Sequence, residues 1–310
     1  RMYSHGEGTA KDMVKALHWF EKVAEQGNAK AQYNCGLMYY EGEGTKIDMV
    51  KALYWYEKAA EQGHADAQFK CGLMYYNGEG TAVAKTKALH GLEKAAEQGV
   101  AEAQFNCGVM YSYGEGTAVD EAKALCWHEK AAEQGYAEAQ FNCGVMYDKG
   151  KGTAVDKAKA LYWYEKAAEQ GYAQAQLVCG VMYYNGEYTT VGEAKAKAYV
   201  QKAAAQTKDK EIQEKAKEVL LYREVEKLLE LSEAKETYKS GDYEKALSLF
   251  ETLAEQGRAE AQLLCGMMYS KGEGTAVDKT KAKAYFQKAA TQTENKEIQE
   301  AAKKILREYF

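Results

Sequence analysis

Proline is absent from all 310 residues, whereas average usage of about 5% would supply roughly fifteen. The missing residue is the one that breaks helix interiors, so its absence points to an all-helical chain. No apolar run approaches the ~18 residues that a membrane-spanning helix needs, so membrane insertion is not expected. Positive charge is not in excess either: 41 Lys and Arg stand against 46 Asp and Glu, a formal net charge of −5. The signs are interleaved, which suits no phosphate backbone, and no nucleic-acid partner is expected. Histidine is scarce, and His5, His18, His64, His90 and His128 fall at scattered positions that read as surface groups rather than a shared metal site. No signal-peptide pattern opens the chain.

What is abundant is repetition. Glu-Gln-Gly ends at Gly27, Gly63, Gly99, Gly135 and Gly171, a period of 36 residues, and again at Gly257. Units of that length are too small to bury their own apolar face, so they stack into a quasi-one-dimensional solenoid. The first residue falls inside a unit, because Met2-Tyr3 and Gly6-Glu7-Gly8-Thr9 match Met38-Tyr39 and Gly42-Glu43-Gly44-Thr45. Upstream sequence is therefore expected.

Within the unit from 28 to 63, Ala31, Cys35, Leu37, Met38 and Tyr39 fall at helical spacing and stop at Gly42-Glu43-Gly44. This predicts a helix A over Ala29–Glu41. Thr45 or Asp48 can cap a helix B whose stripe is Ala52, Trp55, Tyr56, Ala59 and Ala60. Gly36 recurs inside helix A as Gly72, Gly108, Gly144, Gly180 and Gly266, although glycine there costs about 1 kcal/mol relative to alanine. A close neighbour is implied, with Trp55 and its equivalents expected beside the missing side chain. Gly91 replaces that tryptophan in the unit from 64 to 99, leaving a gap unless Leu92 or His90 fills it.

The spacing Gly27, Ala31, Cys35-Gly36, Tyr39, Gly42, Gly44, Asp48, Ala52, Trp55, Ala59, Gly63 resembles the Sel-one-like repeat family, a relative of the tetratricopeptide repeats. The resemblance covers five full units from 28 to about 206, a partial unit before them and another from 258 to about 292. It implies an all-α, right-handed α-solenoid of stacked antiparallel helix pairs, with A helices lining the concave side. It also implies an adaptor or scaffold holding protein partners, not a family defined by catalysis.

Residues 207–257 break the period. Residues 193–224 match 279–310 at an offset of 86, through Lys195-Ala196-Lys197-Ala198-Tyr199 and Lys281-Ala282-Lys283-Ala284-Tyr285. Each copy adds a charged amphipathic helix, about 209–224 and 295–309, suited to capping a solenoid end. Between them, Leu231 to Gly257 reads as a plain tetratricopeptide hairpin. The expected division is therefore 1–224, a capped array, and 225–310, a hairpin with one further repeat and its cap.

Six of the seven cysteines, Cys35, Cys71, Cys107, Cys143, Cys179 and Cys265, occupy one column. Packed helices lie 8–10 Å apart or farther, outside disulfide range for equivalent positions, so the column reads as buried apolar and the compartment as reducing. Secreted cysteine-rich members of the resembled family carry a second cysteine on helix B, and only Cys126 stands there. Gly42-Glu43-Gly44-Thr45 lacks the lysine of a phosphate loop and reads as a turn. Glu57-Lys58 and its repeats read as a solvated face. No catalytic, cofactor or metal constellation is found.

Variation between units points to the candidate surface. One helix-A column reads Tyr33, Phe69, Phe105, Phe141, Leu177, Leu263; the next reads Asn34, Lys70, Asn106, Asn142, Val178, Leu264; a third runs Glu41, Asn77, Tyr113, Lys149, Asn185, Lys271. The first column suits either inter-repeat core or aromatic anchors. Side-chain amides beside aromatics would hold an extended peptide. The expected site is therefore Tyr33, Asn34, Phe69, Lys70, Phe105, Asn106, Tyr113, Phe141, Asn142 and Lys149, binding a protein or peptide partner to a monomer. A small-molecule or cell-wall-fragment binder, or a regulatory domain cut from a larger enzyme, remain open as alternatives.

Overall fold

The computed structural model describes residues 12–186, 193–292 and 295–310. Residues 1–11, the start of the partial opening unit with His5, lie outside them. Among the described residues there are 16 helices: α1 (Met13–Glu25), α2 (Ala29–Glu41), α3 (Met49–Glu61), α4 (Ala65–Asn77), α5 (Lys85–Glu97), α6 (Ala101–Tyr113), α7 (Glu121–Glu133), α8 (Ala137–Lys149), α9 (Lys157–Glu169), α10 (Ala173–Tyr184), α11 (Glu193–Gln206), α12 (Lys210–Lys239), α13 (Tyr243–Glu255), α14 (Ala259–Lys271), α15 (Lys279–Thr291) and α16 (Lys296–Tyr309). The fold is an all-α solenoid of antiparallel pairs. Helices α2, α4, α6, α8, α10 and α14 are A helices; each is followed by its B helix.

The helices begin and end for local reasons. Of the two capping candidates, Asp48 is the one used: its carboxylate accepts from the Lys51 N–H at 3.0 Å, a cap worth about 1 kcal/mol. Asp120, Asp156 and Asp278 do the same for α7, α9 and α15. Helix α5 is the exception, since Ala84 stands at its cap and makes no side-chain bond. Helix A stops at Gly42, whose left-handed φ of 75° lets its N–H return to the Met38 carbonyl. The second glycine of the turn is required twice over. Gly44 has φ 75°, and a Cβ there would overlap the Met13 carbonyl of the preceding unit.

The helix-A glycines face a different partner from the one expected. A Cβ on Gly36 would lie 2.6 Å from the Tyr56 ring, and Gly72, Gly108, Gly144, Gly180 and Gly266 face Leu92, His128, Tyr164, Val200 and Phe286. The column beside Trp55, not Trp55 itself, fills the space. Leu92 therefore has its own place against Gly72 and is 1% exposed, while His90 is exposed. Neither fills the gap at Gly91, which stays open between α3, α4 and α5.

The chain divides into two compact units, Arg1–Lys217 and Glu218–Phe310. In the first, the alanine, cysteine, methionine and tyrosine columns of the A helices pack against the B helices from Ala16 to Ala196. In the second, Leu231, Ala234, Phe250, Cys265 and Phe286 are buried in a separate core. No break falls at 224. Helix α12 runs 30 residues through it, because Glu224 to Lys239 contains no glycine, proline or cap and consists largely of strong helix formers. The terminal helix expected at about 295–309 is α16, capped by Asn295.

Candidate functional site

The helix-A surface is carried by side chains that must be held in register from one unit to the next. Two bonded columns do this. Gln32 is 5% exposed; its amide donates to the Ala24 carbonyl at 3.0 Å and its carbonyl accepts from Gln62 at 2.6 Å. One side chain thus ties α2 to the C-termini of α1 and α3. The pattern repeats at Gln68, Gln104 and Gln140, which donate to Ala60, Ala96 and Ala132 and accept from Gln98, Gln134 and Gln170. Each of these buried amides thus pairs its carbonyl and one N–H. The sequence reading overlooked these glutamines. The signal was available, since Ala-x-Ala-Gln recurs unchanged in six units and a polar residue that never varies on an otherwise variable helix is bonded more often than solvated.

The second column corrects the reading of Glu57-Lys58 as a solvated face. Glu57 is half-buried and accepts from the Tyr75 hydroxyl of the following A helix. Glu21, Glu93, Glu129, Glu165 and Glu251 accept likewise from Tyr39, Tyr111, Tyr147, Tyr183 and Tyr269, each at 2.6 Å. Hydrogen bonding to Glu93, then burial, pushes the Tyr111 hydroxyl up to about 12, so it stays a donor. These glutamates join units rather than face water.

The candidate residues divide. Phe69 is 8% exposed and belongs to the core. Phe105 packs on His128 and Tyr136 with centroids at 5.6 and 5.0 Å, and Phe141 on Tyr164 and Tyr172 at 5.5 and 5.2 Å. Tyr33 stacks on His64 at 4.8 Å. This column is inter-repeat packing, the first of the two readings open from sequence, because each ring fills the space between its own B helix and the start of the next A helix. Asn106 is also engaged, donating to the Glu102 carbonyl of its own helix at 2.7 Å. What remains presented is Asn34 and Lys70, both half-exposed, with Tyr113, Asn142 and Lys149. Lys70 lies 5.8 Å from the Tyr40 ring. Tyr113 is 76% exposed, and with Ser112, Glu121, Asn142, Val145 and Lys151 it borders a cleft of about 130 Å³ between α6 and α8.

His128 lies at the inner end of that cleft and is not a surface histidine. It is 1% exposed, and burial pushes its pKa down to about 4, so it is neutral at physiological pH. The cysteine column is buried throughout, at 0–5% exposure. Burial pushes Cys35, Cys71, Cys107 and Cys265 up to about 12, leaving little thiolate for nucleophilic or metal chemistry. Cys126 alone is exposed. Among the described residues no group of three or more His, Cys, Asp or Glu is placed to hold a metal ion, and no helix is long and apolar enough to cross a membrane.

Comparison with known proteins places this geometry. A family model described as the Sel1 repeat matches residues 1–28, 29–64, 65–100, 101–136, 137–172, 173–208, 237–257 and 259–293. No curated protein matches. A solved Sel1 repeat protein from Oxalobacter formigenes is 31% identical, with a TM-score of 0.56 over 98% of this chain and 73% of its own. A protective antigen of uropathogenic Escherichia coli displaying an SLR fold is 27% identical, with a TM-score of 0.65 over 98% of this chain and 70% of its own.

Proposed function

The chain belongs to the Sel1 repeat family, and from that premise we propose that it is a non-catalytic scaffold holding an extended segment of a protein partner along its helix-A surface. Proteins of this family are generally interaction scaffolds, and that much sets the class. The observation that carries the finer reading is the cleft between α6 and α8, where exposed Tyr113 faces Asn142 beside the Glu121 and Lys151 side chains. An aromatic wall, a side-chain amide and charges of both signs are what an extended backbone with one apolar anchor needs. Lys70 extends the surface by one unit on the α4 side and Lys149 stands at the far end of α8, both with positive charge, so a segment with acidic flanks fits best. The aromatic column behind it supplies rigidity rather than contacts, which keeps the ordering cost of binding low.

A displayed library of random peptides selected on the intact chain tests this. Selected peptides should carry an apolar residue flanked by Asp or Glu. Replacing Tyr113 and Asn142 together with alanine should weaken them by about tenfold or more, given ~1 kcal/mol for the amide bond and a similar amount for the ring. Selection of peptides indifferent to both residues would overturn the reading.

A further inference from the structure

Over seven residues the B helix of the unit from 64 to 99 repeats that of the partial unit before the array with two differences, Gly91 for Trp19 and Leu92 for Phe20. Helix α1 reads Ala16-Leu17-His18-Trp19-Phe20-Glu21-Lys22 and helix α5 reads Ala88-Leu89-His90-Gly91-Leu92-Glu93-Lys94. In α1 the His18 ring meets the Trp19 indole edge-on at 5.8 Å and the Lys22 ammonium lies 4.8 Å over it. The same arrangement of cation over indole recurs at Lys130 and Trp127, at 4.1 Å. At Gly91 the histidine and the lysine are kept and the indole is gone. A cavity of about 580 Å³ opens there, walled by Glu57 and Glu61 of α3, Cys71 and Tyr75 of α4, and Lys87, His90 and Lys94 of α5. Cys71 shows the vacancy independently, being 5% exposed where the other five cysteines of its column are at 0%.

We propose that this vacancy is a socket for the indole of a tryptophan side chain presented by a protein partner, a second site on the helix-B side of the array and independent of the helix-A surface. The shape is set by the fold itself, since Trp55 and Trp127 occupy the equivalent position in the two neighbouring units and Trp163 in the one beyond. The chemistry is set by the retained groups: Lys94 is placed to lie over a ring as Lys22 and Lys130 do, and the Tyr75 face below is already held by Lys87 at 5.1 Å. The choice of a peptide-borne ring over a free one rests on size and charge. The cavity exceeds the volume of one indole, leaving room for the main chain that carries it. Two carboxylates on the α3 wall and two ammonium groups on the α5 wall bracket that space, where amide N–H and C=O groups would find partners.

The test uses N-acetyl-tryptophanamide, free indole and N-acetyl-leucinamide as probes of the whole chain, read by amide chemical shifts. One saturable site is expected for the tryptophan amide, with shifts centred on Ala60, Tyr75 and His90. The free indole should bind no more tightly, and the leucine amide at least about tenfold more weakly. Gly91→Trp should abolish binding and raise the melting temperature. Should that variant fail to fold, Lys94→Met, at an exposed position, keeps the test open; it should weaken the tryptophan amide about two- to fivefold. Absence of saturable binding, binding that survives Gly91→Trp, or equal affinity for the leucine amide would overturn the proposal. Binding of free indole without the amide would overturn the peptide source.

Discussion

Helix α5 is built to be the weakest internal B helix, and the deficit can be worked out. It lacks the aspartate cap of α3, α7 and α9, since Ala84 stands there, at about 1 kcal/mol. Gly91 in its interior costs about 1 kcal/mol more. The indole that is absent would have contributed about 1.5–3 kcal/mol of burial. Together these lower its local opening free energy by about 4 kcal/mol relative to α7 or α9, near a thousandfold in the opening constant. Hydrogen exchange read by mass spectrometry should find 85–97 exchanging far faster than 121–133 and 157–169. Ala84→Asp should slow α5 about fivefold without touching α9. Protection of α5 within threefold of α7 and α9 would refute the reasoning, and would mean that local opening is set by the stack and not by the helix.

Three further outcomes follow from the buried groups. Gln104→Glu removes the donor to the Ala96 carbonyl and buries a carboxylate beside it; denaturant titration should show a loss of about 2 kcal/mol or more at pH 7. Because that carboxyl's pKa is raised in the fold, the loss should shrink as pH falls and the acid form donates again; a pH-independent deficit would contradict the bonding assigned to the column. His128 takes up a proton near 6.5 when unfolded and only at about 4 when buried, so it adds nothing above pH 6.5 and destabilises progressively below it, by about 3 kcal/mol near pH 4. His128→Leu should remove that component, and parallel stability profiles for variant and parent would show that the imidazole is hydrated. Under thiol-labelling without reductant, native protein should react quickly at Cys126 alone and denatured protein at all seven cysteines; four or fewer thiols after denaturation would reveal a disulfide framework.

The 36-residue period made the helix pairs, the turns and the buried cysteine column readable, because each column is sampled six times and a helix period sorts its faces. Adjacent columns were harder. Trp55 and Tyr56 are only 100° apart on a helix, and pattern alone put the wrong one against Gly36. The glutamine column escaped because amphipathic counting sets polar residues aside, although Gln32 and its equivalents make the bonds that register the units. Phe69, Phe105 and Phe141 were readable as apolar but not as core or surface, since that choice depends on Tyr136 and Tyr172 arriving from the next unit. Continuity of α12 through residue 224 follows from propensity, and was hidden by the duplicated module that suggested an end there. The gap at Gly91 was visible in sequence; that neither neighbour fills it was not.

The central claim is that an extended partner segment lies across the presented residues of several A helices. Amide and side-chain chemical-shift mapping of the intact chain with a selected acidic-flanked peptide tests it most directly. The account predicts perturbations at Lys70, Tyr113, Asn142 and Lys149, spanning more than two units, with the buried aromatics and the outer positions Tyr54 and Tyr162 unmoved. Shifts confined to a single unit, or centred on exposed helix-B residues, would contradict it.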